Sequence, residues 1–454
     1  MKANASPRGS VNAIGVLSRR RAIAGFGASG ALLAACAGGG SGSSGGSQSA
    51  PTPDVTKQAA TLTVLNRTPW PQEFLNLGTA FTAEYPALKV ELTATGGGSW
   101  GEFTEKLLTL VVGGTPPDVA RTAVEGLQGI AHKGIFLPLD ALLKRDANTS
   151  PMKDFIADVH PTVMKSLAYQ GKQQALPGNI NLPMIHYNTE LFNRAGITRP
   201  RDDWSIDDFE RIARQLTRPE NETWGFSTPN ALWGGISPWL FIAGTDFLTD
   251  DWKQSKANDP RTVEAVERYQ SYSTRLSVAP PNADAGNDAW NAGKLAMRLA
   301  GASAREGYVR GGMTSFDVLT VPKWRTQDHC FGGAGFGIFK ESKHHEATWH
   351  FLKHLSREEN VSTFAFGSIP ARKSVAYRVM AGPGAPPEHH RLYVDVLERG
   401  VRSVPSPPEY DLLEAAVRKH LQPVMANQTA AKPAMDELHR ELSELLARRP
   451  PAVS

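Results

Sequence analysis

The stretch TLTVLNRTPWPQEFLNLGTAFTAEYPALKVELTA, residues 61–94, decides the fold class. Leu62 and Val64 alternate with polar neighbours at its start, as in a half-buried strand. Phe74, Leu77, Phe81 and Tyr85 then recur at helical spacing, and Pro86 ends that pattern. Leu88, Val90 and Leu92 alternate again. Strand, helix, strand predicts crossovers that lay helices on the faces of a mostly parallel sheet.

Working outward, GEFTEKLLTLVVGG (101–114) reads as an amphipathic helix stopped by glycines, and TPPDVA (115–120) as a loop feeding a strand. A second unit opens with the extended GKQQALPGNINLPMIHYN (171–188) and the short helix TELFNRAGI (189–197). In DDWSIDDFERIARQLT (202–217), Ser205 and Asp208 are spaced as a capping box and Trp204 as a hydrophobic staple. A third region holds the strand-like FDVLTVP (316–322), the glycine-rich FGGAGFGIF (331–339) and a helix over 344–356 that buries Trp349. At 454 residues the chain exceeds the size of a single core, so two lobes are expected.

Upstream, LLAACAGGGSGSSGGS (32–47) places Cys36 between a short apolar run and small residues. The apolar segment Ala22–Ala35 is shorter than the roughly 20 residues that span a bilayer, and Arg19 and Arg20 precede it, so it reads as an export signal. The Gly/Ser tract after Cys36 predicts a flexible tether over 36–60, with a reach of roughly 25–30 Å.

Charge excludes one function class. Five basic residues and no acidic ones precede Cys36, so the formal charge of +4 becomes −1 once residues 1–35 are removed. No basic excess remains in the body to neutralise phosphates, and nucleic acid is not an expected partner. Cys36 and Cys330 are the whole cysteine inventory; no disulfide framework is expected, and Cys330 reads as a small core residue.

Enzyme signatures are weak. In FGGAGFGIF Ile338 stands where G-x-G-x-x-G needs its last glycine, and GGTPPDV lacks a phosphate-loop lysine. No catalytic residue, metal site or cofactor is therefore expected. The sharpest rival is a metal receptor, because His350 and His354 share a helix at i and i+4 with Glu346 a turn earlier. A secreted glycan hydrolase is the other reading of a different class.

Several segments fall together in a familiar order: GGTPPDVA (113–120), GIFLPLD (134–140), ALPGNINLPMIHYNTELFNRAGI (175–197), DDWSIDDFERIARQLT, WNAGKLAMRLAGAS (290–303), ATWHFLKHL (347–355) and GSIPARKSV (367–375). In that order they resemble the family 1 extracellular solute-binding proteins, the sugar-type receptor subunits of ABC importers. Leu33-Ala34-Ala35-Cys36 similarly resembles the lipobox of bacterial lipoproteins, which makes Cys36 the lipidation site, and the paired arginines resemble a twin-arginine signal. The general secretory route stays open beside it.

The resemblance implies a two-lobed periplasmic-binding-protein-like fold of type II, each lobe a mostly parallel sheet flanked by helices, with the ligand in the cleft between. It implies lobes over 61–172 with 324–370 and over 173–323 with 371–447, after a signal peptide at 1–35, and chain crossings near 170–178, 318–326 and 368–376. The implied partners are a sugar-like small molecule, the transmembrane permease subunits and, through the lipid, the outer face of the cytoplasmic membrane or the periplasm; a monomer is expected. A glycerol-phosphate-type ligand is the alternative within the same family, with Arg67, Arg121 or Arg372 as its contacts.

Sugars combine apolar C–H faces with rings of hydroxyls, so their receptors pair aromatic platforms with planar polar side chains. Trp70 and Glu73 in NRTPWPQE, Trp100 in GGGSWGE, and Trp233 and Trp239 in NALWGGISPWL are the aromatic candidates and a polar neighbour. Arg121 and Glu125 after the PPDV strand, Asn181 in the entry to the second unit and Arg372 in IPARKSV complete the set. Ser303 stands where the resemblance implies an aromatic, which removes one stacking platform.

Overall fold

The computed structural model describes residues 54–280, 285–365, 368–381 and 386–453. The export signal, Cys36 and most of the tether lie outside the described residues. The end of the tether is ordered locally: Val55–Lys57 form one 3-10 turn, capped by Asp54, whose carboxylate accepts from the Thr56 N–H.

In chain order the strands are β1 (Ala60–Asn66), β2 (Leu88–Ala94), β3 (Val119–Ala123), the small hairpin β4 (Ala168–Tyr169) and β5 (Lys172–Gln173), β6 (Leu176–Asn181), β7 (Pro183–Asn188), β8 (Met297–Gly301), β9 (Phe316–Leu319), β10 (His329–Ile338), β11 (Ile369–Pro370) and β12 (Val401–Ser403). A large sheet runs β11-β6-β10-β3-β1-β2, with β12 also paired to β10, and a small sheet runs β8-β7-β9.

The opening stretch folds as its pattern predicts. Leu62 and Val64 of β1 pair in parallel with Val90 and Leu92 of β2, and the helix Gln72–Glu84 between them buries Phe74, Leu77 and Phe81. Ser205 and Asp208 form the expected capping box, and Trp204 beside them is buried with its indole N–H donating to the Thr320 carbonyl.

Strand direction departs from the expectation of mostly parallel sheets. Pairings of β1 with β2 and β3 are parallel, but β10 runs antiparallel to both β3 and β6. In the small sheet both pairings of β7 are antiparallel. The cause is connectivity. A crossover through the helix Ala304–Arg310 makes β8 and β9 mutually parallel, and β7, entering from β6 after a single residue, fills the gap between them in the opposite sense.

The chain thus leaves the large sheet at Asn181, enters the small sheet at Pro183, leaves it at Leu319 and returns to the large one at His329. One core gathers around the large sheet, with Phe74, Phe81, Trp349 and Phe351 among its members. Another packs Phe209, Phe226, Trp239, Tyr269 and Tyr272 against helices that include Tyr410–Met425 and Ala431–Ala447. Among the described residues no helix is long and apolar enough to cross a membrane.

The glycine-rich segment is the strand β10, and its glycines answer to its neighbours. A Cβ on Gly335 would lie 2.7 Å from the Leu176 carbonyl oxygen, and one on Gly337 2.5 Å from the Phe136 ring. Cys330, on the same strand, is fully buried, and burial raises its thiol well above the ordinary range.

Gly335→Ala should therefore lower stability by about 2 kcal/mol through backbone overlap. Gly307→Ala, inside the helix Ala304–Arg310 with open space around the new methyl, should raise it by up to about 1 kcal/mol. Urea-unfolding midpoints of the two variants against the parent check both signs.

Candidate functional site

A cavity of about 450 Å³ opens between the carboxyl ends of β1 and β3, the middle of β10 and elements packed with the small sheet. Its floor is the backbone of Gly332, Gly333 and Ala334. The ends of strands in open α/β sheets are where ligands gather, since helix starts and loops converge there without side chains from the sheet interior.

One wall is cationic and aromatic. Ser99 caps the helix Trp100–Val112 by accepting from the Glu102 N–H, which sets Trp100 at the cavity edge. Arg67, just past β1, lies over the Trp100 ring with its guanidinium carbon 4.9 Å from the centroid, and donates to the Gly98 carbonyl. Arg121 projects from β3 to 5.7 Å from the same ring and donates to Asn179 Oδ1 at 2.7 Å. Burial, and then the nearby charge of Arg67, pull the Arg121 pKa down to about 9.

Acidic and aromatic groups line the cavity as well. Glu125 sits in the first turn of the helix Val124–His132 and is 7% exposed. Burial raises its carboxyl to about 7 against the hydrogen bond from its own backbone N–H, and the like charge of Glu414 adds to the rise. Tyr410, Glu414 and Arg418 present one face of the helix Tyr410–Met425, and Glu414 and Arg418 stand 3.7 Å apart. Trp233 enters from the turn Leu232–Ile236; its indole nitrogen is buried and has no hydrogen-bond partner among the described residues. A Cβ on Gly332 would lie 2.7 Å from both Glu125 Oε1 and Trp233 Nε1, so only glycine there lets the two groups approach the floor.

Asn181 and Ser303 join the two sheets at the back of the cavity. Asn181 Nδ2 donates to Ser303 Oγ at 2.9 Å, and the Ser303 N–H donates to Asn181 Oδ1 at 3.2 Å.

Of the residues expected from sequence, Trp100, Arg121, Glu125, Asn181 and Trp233 line this cavity together. The other four lie elsewhere. Trp70 is buried against Phe74, ring centroids 4.1 Å apart, with its indole N–H donating to the Thr93 carbonyl. Glu73 is exposed on the first turn of the helix Gln72–Glu84. Trp239 is fully buried and donates to the Tyr272 hydroxyl. Arg372 is buried against Asp158 at 2.8 Å, beside a separate surface depression.

Thr68, Ser99, Asn179, Ser368 and the Tyr410, Glu414, Arg418 face escaped the sequence reading. The last three recur four residues apart, a polar stripe on a helix that otherwise buries Leu413, Val417 and Leu421. That stripe was the available signal. In the rival metal reading, Glu346 is paired with Arg145 at 2.9 Å and His354 with Glu84 at 3.2 Å.

The Glu125 carboxyl sets a pH dependence. Its folded pKa of about 7 lies above the ordinary 4.5, so the folded chain keeps a proton that the unfolded chain releases. The stability from that proton is complete below about pH 4.5 and is lost as pH rises through 7. Between pH 5 and pH 8 the parent should lose about 2–3 kcal/mol more than Glu125→Gln. Asp246, raised to about 7 by burial, is common to both and cancels in the comparison, which urea unfolding at the two pH values measures.

The model of the bacterial extracellular solute-binding protein family matches residues 66–362. A putative binding protein of Brucella abortus (strain 2308) is 23% identical over 311 residues, covering 65% of this chain and 72% of its own. An uncharacterized ABC transporter extracellular-binding protein of Pyrococcus horikoshii is 25% identical over 363 residues, covering 72% and 76%. Among solved structures, an ABC substrate-binding protein from Listeria monocytogenes in complex with cycloalternan superimposes with a TM-score of 0.76 at 20% identity, covering 86% of this chain and 100% of that one. The GacH receptor of Streptomyces glaucescens, solved unliganded and with acarbose, gives 0.73 at 23% identity over 86% and 100%. These likenesses identify the architecture as the two-lobed, type II periplasmic-binding-protein fold. With its cavity at the strand ends and a family match that spans both sheets, the chain belongs to the bacterial extracellular solute-binding protein family.

Proposed function

We propose that this chain is the substrate-binding component of an ABC importer, capturing a sugar or oligosaccharide outside the cytoplasmic membrane and delivering it to the permease. The observation that carries the reading is the cavity lining: Trp100, Trp233 and Tyr410 bring aromatic side chains, while Arg121, Asn179, Asn181 and Glu125 bring planar hydrogen-bonding groups. Aromatic rings cover the C–H faces of a pyranose, and planar polar groups meet its hydroxyls. The cycloalternan and acarbose complexes of proteins with the same fold agree with that class of ligand. The chain binds and releases; no catalytic step is part of the reading.

The lobes proposed are 61–172 with 324–370 and 173–323 with 371–447, the small-sheet strands β7, β8 and β9 all falling in the second. The helix Leu392–Arg399 touches both parts: Leu392, Tyr393, Val394 and Val396 pack in the core around the large sheet, while the Tyr393 hydroxyl meets His186 of β7 at 2.5 Å. Closure of the lobes around solute is the step that a permease distinguishes from the empty receptor. Cys36, as a lipidated N-terminus after removal of residues 1–35, anchors the protein, and the monomer is the working unit.

Purified body screened against mono- and oligosaccharides by thermal shift should respond to at least one, with about 2.7 kcal/mol of stabilisation at 100 times its dissociation constant. No response to sugars, with a response to glycerol phosphodiesters or zinc, overturns the reading. Trp100→Ala and Trp233→Ala should each weaken the responding sugar by about tenfold, measured by calorimetry. Cys36→Ser should move the protein from the membrane to the soluble fraction of its cell.

A further inference from the structure

The cavity is divided by charge. Arg67 and Arg121 lie by the Trp100 ring, 4.9 and 5.7 Å from its centroid, while the carboxylates of Glu125 and Glu414 line the same cavity. Glu125 is buried, lines the cavity, and receives its hydrogen bond from its own backbone N–H. The cation nearest Glu414 is Arg418, 3.7 Å away with a side chain 59% exposed. Among the described residues no ion pair meets the buried Glu125, and a buried carboxylate is costly as a charge until a cation reaches it. A neutral ligand leaves that cost in place. A ligand that brings its own positive charge offsets it.

A second feature narrows the shape of such a ligand. Trp233 Nε1, buried and without a partner among the described residues, crowds the same point above Gly332 as Glu125 Oε1. An indole N–H only donates, so it requires an acceptor from the ligand immediately beside the group that meets the carboxylate. A cationic donor next to a hydroxyl oxygen is a vicinal amino alcohol.

From this pairing of Glu125 and Glu414 with the Trp233 N–H across Gly332, we infer that the receptor selects an aminated sugar, its ammonium held by the carboxylates and its adjacent hydroxyl accepting from Trp233. The inference rests on the sugar-receptor reading and names the ligand class within it. The rings of Trp233 and Tyr410, which line the same cavity, are favourable neighbours for a cation.

Matched probes test it by calorimetry at pH 7: glucosamine against glucose, galactosamine against galactose, and the β-1,4 glucosamine trimer against cellotriose and the N-acetylated trimer. In at least one set the amino member should bind about tenfold or more tightly than its hydroxy and N-acetyl counterparts. Glu125→Gln and Glu414→Gln should each bring that ratio toward unity, with melting curves confirming that both variants fold. Equal or tighter binding of the uncharged members, or a ratio that survives both substitutions, overturns the inference and leaves the sugar receptor standing. Silence from every member of every set while another sugar of the thermal-shift screen responds overturns the inference alone; silence from that whole screen overturns the sugar reading itself.

Discussion

The close backbone packing around β10 is the constraint on which the rest depends. This strand lies between β3 and β6 in the large sheet, and its glycines face a carbonyl oxygen and an aromatic ring too near to admit a methyl group. The same lack of side chains leaves the cavity a floor of bare backbone at Gly332 and Gly333. Packing and binding therefore ask for the same residue type along one strand. A glycine strand is weak on propensity alone, and its burial between neighbours on both edges compensates.

Much of the fold was legible because it follows from local pattern. The alternation of Leu62 and Val64, the helical spacing of Phe74, Leu77 and Phe81, and the Ser205 capping box are decided by neighbours a few residues away. Strand direction was not. Whether β7 runs with or against β8 depends on how a long connection returns, and no short window of sequence contains that information.

The site divides along the same line. Trp100, Arg121 and Glu125 follow strand ends that the sequence marks plainly, and they line the cavity. Trp70 and Trp239 share the composition cues of ligand platforms, but their indole N–H groups are satisfied inside the protein by Thr93 and Tyr272. Arg372 is similarly committed to Asp158. Tyr410 and Glu414 reach the cavity from nearly three hundred residues beyond Glu125, a tertiary contact that spacing cannot announce.

The bond between Asn181 and Ser303 has a mechanical consequence. Asn181 is the last residue of β6, one position before the chain changes sheet, so in a receptor whose two sheets turn against each other it would lie close to the pivot. A group near a pivot has almost no lever arm and travels little during rotation. On the proposed hinged closure, ligand contacts at such a point would count equally in open and shut receptors, and the preference for one arrangement would fall to contacts farther out. Under that proposal, grip and gating fall at different distances from the same line.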